Sequence, residues 1–121
     1  MDPIEAVADA ITKFEGWAPG NKSYQQRNPG NLRDAYGNYR TFQTFVEGYS
    51  ALLFDLRAKF SGHTKTGLTP DSTLIELMMK YAPPSDNNPT QVYTDFICGW
   101  VSKALGVSVT PNTTLKEIWT P

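Results

Sequence analysis

The stretch Asp2-Pro3-Ile4-Glu5-Ala6-Val7-Ala8-Asp9-Ala10-Ile11-Thr12-Lys13-Phe14-Glu15-Gly16 opens the chain and decides how it folds. It starts with Asp at an N-cap position, Pro at the first helical position and Glu in the first turn, which is typical of a helix start. Apolar residues then recur with the period of an amphipathic helix at Ile4, Val7, Ala8, Ile11 and Phe14. Because Gly16 is a natural stop, the pattern predicts a helix that ends at about Phe14 or Glu15.

Glu15 shares the apolar face of this predicted helix, because it lies four and seven residues after Ile11 and Ala8. A carboxylate aimed at the interior from a helix C-terminus is disfavoured by desolvation and by the negative end of the helix dipole. Both effects raise its pKa, as a general acid that must hold its proton near neutral pH requires. Two structural alternatives compete with this role: the side chain turns to solvent, or it pairs with Arg27 or Arg33.

Three further helices and a short last one are predicted downstream. They are a second helix from a Thr44–Glu47 capping box to Ser61-Gly62, a third over roughly Ser72 to Tyr81, a fourth from an Asn88 N-cap to Gly106, and a short one from Thr114 with Glu117 as its capping partner. Before the second helix, Leu32-Arg33 and Tyr39-Arg40-Thr41-Phe42 are predicted to form a hairpin around Tyr36-Gly37-Asn38. The fold class expected is α+β, mainly α, in a single domain over residues 1–121.

The composition disfavours several classes of function. With 11 Lys and Arg against 12 Asp and Glu, the net charge is −1, and the chain lacks the basic footprint of a nucleic-acid binder. The chain has one cysteine, Cys98, and one histidine, His63. An internal disulfide is therefore excluded, and a zinc site and a Ser-His-Asp triad are disfavoured. No metal or cofactor is predicted. Cys98 lies in an apolar helical context and is predicted to be core filler. No signal-peptide pattern and no apolar run of membrane-spanning length is present, so we expect synthesis in the cytoplasm and no stable membrane insertion.

Segment 24–33 is dense in amide and guanidinium donors. A groove lined by Gln26, Asn28, Asn31 and Arg33 suits sugars, whose hydroxyl and N-acetyl groups pair with such donors. A tight turn in which Asn31 and Arg33 tie the loop to the helices explains the same residues. Both interpretations can hold, since loops carry function on rigid supports.

The connection between the third and fourth helices runs through Tyr81-Ala82-Pro83-Pro84 and is stiffened by its prolines. Tyr81 is predicted to offer its ring to a sugar face or its hydroxyl to the carboxyl of Glu15. Tyr49, on the apolar stripe of the second helix, is a further candidate for substrate contact, although a place in the core explains it more readily.

Three motifs follow one another along the chain: Phe14-Glu15-Gly16, then Gln26-Arg27-Asn28-Pro29-Gly30-Asn31-Leu32-Arg33, then Tyr81-Ala82-Pro83-Pro84 with Asn88-Pro89-Thr90 and Tyr93. Together they resemble the lysozyme-like superfamily, in particular small phage and prophage proteins related to lytic transglycosylases and endolysins. The resemblance spans residues 4 to about 106 and implies a lysozyme-like helical domain with a small β-hairpin. It also implies that Glu15 protonates a glycosidic oxygen of peptidoglycan. Family members often carry extra Asn residues before Pro-Gly-Asn-Leu-Arg, whereas this chain has only Asn28, so its loop is shorter.

The implied reaction has two routes from one acid. A hydrolase normally uses a second carboxylate, about 5–5.5 Å away in retaining enzymes or about 6.5–9.5 Å away in inverting ones. A lytic transglycosylase manages with one Glu, because the substrate's own 6-hydroxyl attacks and leaves a 1,6-anhydromuramic end. Asp34 is the best second carboxylate, although it also suits a turn, while Asp86 and Asp95 are explained as a turn residue and a solvated helix residue. The transglycosylase is therefore slightly favoured.

The expected partner is the glycan strand of peptidoglycan, cleaved by a monomer that reaches the wall through phage lysis, a phage tail or a secretion machine. The alternative from another class is a non-catalytic glycan-binding or virion structural module, since three tryptophans and six tyrosines suit sugar stacking as well as cores. A chitin-directed hydrolase is a third hypothesis.

Overall fold

Helix α1 runs from Pro3 to Phe14, as the sequence predicts, and lies between α3 and α5, the two longest helices of the fold. Asp2 caps its start, because the Asp2 carboxylate accepts a hydrogen bond from the N–H of Ile4 at 2.8 Å. Gly16 follows its end with a φ of +70°, in the left-handed region that glycine adopts without strain. The chain therefore leaves the helix directly after Glu15.

The structure, a computed structural model, describes residues 1–119. Within that range, five more α-helices and one 3-10 helix follow α1: α2 (Lys22–Gln25), α3 (Phe45–Ser61), α4 (Leu74–Tyr81), the 3-10 helix Pro84–Asp86, α5 (Thr90–Leu105) and α6 (Leu115–Ile118). The mainly helical class is confirmed. The sequence pattern predicts neither α2 nor the 3-10 helix, because three or four residues are too few to show a helical period.

The starts of α1, α3 and α6 agree with the sequence, whereas α4 begins at Leu74, two residues after the predicted Ser72, and α5 has a different cap. Thr44 caps α3 and Thr114 caps α6, each accepting from the N–H of a Glu three residues on. The prediction that Asn88 caps α5 is wrong. The N-cap is Pro89, and the Asn88 amide instead donates to the carbonyl of Pro83 at 3.1 Å, which braces the connection before the helix.

The core forms where α1 packs against α5 and α3, and where α4 packs against α5. Its fully buried side chains come from every one of these helices: Ile4, Val7 and Ile11 from α1, Leu52 and Leu56 from α3, Leu74, Leu77 and Met78 from α4, and Ile97 and Val101 from α5. Cys98 is buried among them, as predicted for core filler. Apolar burial of this kind is the main force that holds the helices together.

The predicted hairpin is reduced to one antiparallel bridge between Arg33 and Tyr39, and residues 1–119 contain no strand. The Asn28 side chain explains why the pairing stops. The Leu32 carbonyl still accepts from the Arg40 N–H at 2.9 Å. The Leu32 N–H, however, donates to the side-chain oxygen of Asn28, and the Arg40 carbonyl accepts from the Asn28 amide, each at 2.9 Å, so this side chain takes the two backbone groups that the next ladder bond would join. The small β element is therefore not confirmed.

Gly48, in the first turns of α3, fixes the loop that precedes the bridge. A Cβ on Gly48 would lie 2.0 Å from the carbonyl oxygen of Arg27 and 2.9 Å from the Pro29 ring. Only glycine admits so close an approach. Segment 27–31 consequently lies directly on α3 and faces the end of α1.

Candidate active site

Glu15 is the C-cap residue of α1, and its side chain is half-buried. Its N–H donates to the carbonyl of Ile11 at 2.9 Å, so the backbone is still helical at this point. The Ser23 hydroxyl, from α2, donates to the Glu15 carbonyl at 3.4 Å. The end of α1 is thus held by its own helix and by α2, which fixes the direction of the carboxyl group.

Both carboxylate oxygens of Glu15 accept a hydrogen bond. The Asn31 amide donates to Oε1 at 2.7 Å, and the Tyr93 hydroxyl donates to Oε2 at 2.8 Å. One donor comes from the loop before α3 and the other from α5. The fold therefore brings together three residues that are far apart in sequence.

The pKa of Glu15 is raised, as the sequence predicts. Burial raises it most, while the hydrogen bonds from Tyr93 and Asn31 lower it in part. None of the ion pairs among the described residues includes Glu15, so the predicted alternative of a pair with Arg27 or Arg33 is wrong. The arrangement can hold a proton at higher pH than an ordinary carboxyl and can stabilise the anion once that proton has left.

Tyr93 is rigidly placed beside Glu15. Its side chain is 1% exposed, and its ring stacks on Phe14 with centroids 4.0 Å apart and an interplanar angle of 18°. Burial raises the pKa of the Tyr93 phenol well above its usual value, and the nearby Tyr81 and Glu15 raise it further. Tyr93 therefore remains a neutral donor. It belongs to the third motif, but sequence reasoning assigned it no role, because no local pattern links positions 15 and 93.

Asn31 owes its position to an unusual backbone. Its φ of +50° lies in the left-handed region, which Asn tolerates better than most residues, and its N–H donates to the Asn28 carbonyl at 3.0 Å. The neighbouring Gly30 carbonyl accepts a hydrogen bond from the Tyr81 hydroxyl. A Cβ on Gly30 would lie 2.7 Å from that hydroxyl, so a larger residue at position 30 would have to displace the Tyr81 side chain. The predicted bond from Tyr81 to the Glu15 carboxyl is accordingly replaced by the bond from Tyr93.

Asn28 supports the loop and is closed to a ligand. It is 0% exposed, donates to the carbonyls of Leu32 and Arg40, and accepts from the Leu32 N–H at 2.9 Å. These bonds use both the N–H donors and the oxygen acceptor of the Asn28 amide. The prediction that Asn28 contacts substrate is therefore wrong, because its side chain holds the turn. Asn31, by contrast, donates to Glu15.

Two other predicted contacts lie away from Glu15. The Tyr49 hydroxyl donates to Asp9 on α1 at 2.6 Å, and its ring stacks on Phe45 with centroids 5.6 Å apart. The Gln26 backbone carbonyl accepts from the N–H of Phe42, and its side-chain oxygen is buried. Neither residue lines the cavity at Glu15, so the structure does not unite them with the site.

The side chains of Arg33 and Asp34 have different partners, and only that of Arg33 lines the cavity at Glu15. The Arg33 guanidinium donates to the Gly37 carbonyl at 2.9 Å and to the Tyr39 hydroxyl at 3.0 Å, and it lines the cavity at Glu15. The Asp34 carboxylate accepts from the N–H groups of Tyr36 and Asn38, at 2.9 and 3.0 Å, and does not line that cavity. The turn therefore occupies the carboxylate that was the best candidate for a second catalytic group.

The cavity at Glu15, here called the Glu15 cleft, is small and polar. Its walls are Gly30, Asn31, Arg33, Tyr39, Tyr81, Ala82, Asp86 and Asn88. Asp86, at the end of the 3-10 helix, was predicted to be a turn residue only, yet it faces the same cleft as Glu15. The cleft thus offers one acid with a raised pKa, one further carboxylate, and amide, phenol and guanidinium groups around them.

Comparisons with protein-family models, curated proteins and solved structures found no significant match to the chain. Among residues 1–119, no group of three or more His, Cys, Asp and Glu side chains is placed to hold a metal ion. No helix in the same range has the length and apolar content needed to cross a membrane.

Proposed function

We propose that this chain cleaves the glycan strands of bacterial peptidoglycan at the β-1,4 bond between N-acetylmuramic acid and N-acetylglucosamine, on a lysozyme-like fold. The observation that carries the proposal is Glu15, a half-buried carboxyl with a raised pKa, held by Asn31 and Tyr93 at the wall of a small polar cleft. The order of the three motifs, which resembles that superfamily, supplies the substrate class. A perturbed carboxyl in a cleft is the usual mark of an acid–base site.

Glu15 acts as the general acid. It gives its proton to the glycosidic oxygen while the bond from that oxygen to the anomeric carbon breaks, and the positive charge that develops is left on the muramic ring. The Glu15 carboxylate formed in this step is the species that the hydrogen bonds of Asn31 and Tyr93 stabilise. The 6-hydroxyl of the same ring then attacks the anomeric carbon and returns its proton to Glu15, which yields a 1,6-anhydro end and regenerates the acid.

The lytic transglycosylase is favoured over the hydrolase because the Asp34 carboxylate accepts two backbone N–H groups within its own turn. One observation supports the hydrolase as a second candidate: Asp86 lines the Glu15 cleft, where it would act on a water. The variant Asp86→Asn separates the two, since it leaves the transglycosylase active and inactivates the hydrolase. Products with 1,6-anhydro ends identify the first, and products with reducing ends identify the second.

The substitution Glu15→Gln tests the proposal. It removes the acid proton and keeps the size of the side chain, so we expect the rate of wall lysis to fall about 10³-fold, the usual range for loss of a general acid. The matched control is Glu47→Gln, on the exposed start of α3, which should lyse like the wild type. Turbidity of a suspension of purified walls measures both. Binding to the walls with no lysis by the wild type would favour the non-catalytic module instead.

A further inference from the structure

Two further cavities lie next to the Glu15 cleft and share lining residues with it or with each other. The Glu15 cleft shares Asn31, Arg33 and Tyr81 with a second cavity beside α3 and α4. The second cavity shares Leu32, Arg33 and Asp55 with a third one, here called the outer cavity. Arg33 lines all three, so the three cavities are neighbours around this side chain.

The outer cavity carries an excess of positive charge. Arg33 and Arg40 both line it, and Asp55 is its one acidic residue. Asp55 is already paired with Lys59 at 2.6 Å. The other ion pairs among residues 1–119 are Arg57 with Asp2 and Lys116 with Asp71, so neither arginine of the outer cavity has a carboxylate partner within the described chain.

Aromatic side chains lie beside the two arginines of the outer cavity. Phe54, on α3, is 77% exposed at the wall of the outer cavity, and the Arg40 guanidinium lies 4.7 Å from the centroid of the Phe42 ring. The Arg40 side chain is thereby held in place while its charge stays accessible to solvent. Such a surface fits a ligand that has carboxylates and short aliphatic groups together.

We propose that the outer cavity binds the acidic peptide stem that each muramic acid residue carries on its lactyl group. This inference rests on the proposed function, because that function places a glycan strand in the Glu15 cleft and so places the attached stem beside it, where the neighbouring outer cavity lies. The stem combines free carboxylates, which pair with Arg40 and Arg33, and alanine methyl groups, which pack on Phe54. The chain would then select strands that bear peptide over bare glycan.

The experiment compares two substrates: peptidoglycan strands that keep their stems, and the same strands after an amidase has removed the stems. The wild type should cleave the first with a higher kcat/KM than the second. Arg40→Gln should lower this preference about threefold to fivefold, the worth of an exposed ion pair. Arg40→Lys should retain most of it, because the charge is kept, and Arg57→Gln, whose partner is Asp2, should match the wild type. Added salt should reduce the preference in the wild type, since exposed charges are screened.

The possible outcomes distinguish failure of the peptide-stem site from failure of the proposed glycan cleavage. Equal cleavage of both substrates by the wild type, or an Arg40→Gln variant that keeps the full preference, would overturn the peptide-stem site alone. Cleavage of neither substrate by the wild type would overturn the proposed function and the stem site with it. Thermal unfolding of the Arg40 variants shows that the fold is kept, which is expected because the contacts of Arg40 to the bridge are made by its backbone.

Discussion

Helices α1 and α5 are held together by apolar side chains, whereas segment 26–42, which contributes Leu32 to the core, joins its own backbone segments through a polar side chain. Ile11 and Ile97 are fully buried in the helical part. In the loop part the fully buried residue that joins the backbone segments is Asn28, through three hydrogen bonds to Leu32 and Arg40. A polar side chain is buried at low cost only when its hydrogen bonds are formed. The loop is therefore stabilised by the geometry of its hydrogen bonds, whereas the helices are stabilised by the apolar area that they bury.

Glu15 lies where these two parts meet and takes one donor from each. Asn31 belongs to the polar loop, and Tyr93 belongs to α5, where it is stacked on Phe14 of α1. The loop and the helices therefore act differently on the acid. Burial raises the pKa of Glu15, and the hydrogen bonds from Tyr93 of α5 and from Asn31 of the loop limit the increase, so α5 acts in both directions whereas the loop contributes only a donor.

The largest expected effect on stability comes from breaking the loop at Asn28. The substitution Asn28→Ala removes three hydrogen bonds, two of them buried, and leaves the Leu32 N–H and the Arg40 carbonyl without these partners, so we expect a loss of roughly 3 kcal/mol in the free energy of unfolding. Denaturation in urea measures it. The control is Asn38→Ala in the same loop, whose side chain is exposed and which should change stability little. A loss below about 1 kcal/mol for Asn28→Ala would contradict the account of the loop.

A smaller effect is expected when the helical donor to Glu15 is removed. Tyr93→Phe keeps the stack on Phe14 and deletes the hydrogen bond to Oε2, so activity should fall about tenfold, the worth of a hydrogen bond to a charged group. Because that bond lowers the pKa of Glu15, its loss raises the pKa, and the alkaline limb of the pH–rate profile should move to higher pH. Tyr36→Phe, at an exposed tyrosine of the turn, is the control. A limb that stayed in place or moved to lower pH would show that Tyr93 does not act on Glu15.

The smallest effect concerns the cost of burying the acid. Folding raises the pKa of the Glu15 carboxyl above its ordinary value of 4.5. The protonated carboxyl therefore stabilises the fold fully below that value, and this contribution is lost as the pH rises through the folded pKa. Glu15→Gln mimics the protonated form at every pH. The variant should therefore melt a few degrees above the wild type at pH 8 and at the same temperature near pH 4, as calorimetry can show. A variant that melts lower than the wild type at pH 8 would mean that ionised Glu15 stabilises the fold.

The part of the site that follows a helical period was predictable from the sequence. The face of Ile11 and Ala8 places Glu15 toward the interior, and the N-cap at Asp2 and the glycine at position 16 fix both ends of α1. These are local signals, each contained within a few residues.

The partners of Glu15 were not predictable in the same way. Asn28 and Asn31 are three residues apart and chemically identical, yet one is buried in the loop and the other donates to the acid. The difference depends on the left-handed backbone at Asn31 and on the approach of α3 at Gly48, which no spacing in the sequence shows. The same holds for Asp34 and Asp86, since only the fold decides which carboxylate a turn uses and which one faces the cleft.

The most direct test of Glu15 as a wall-cleaving acid is mass spectrometry of the fragments released from purified peptidoglycan by the wild type and by Glu15→Gln. We expect soluble muropeptides with 1,6-anhydro ends from the wild type, and release about 10³-fold slower from the variant. Equal release by both proteins, or no glycan fragments from a wild type that is folded and binds the wall, would contradict it.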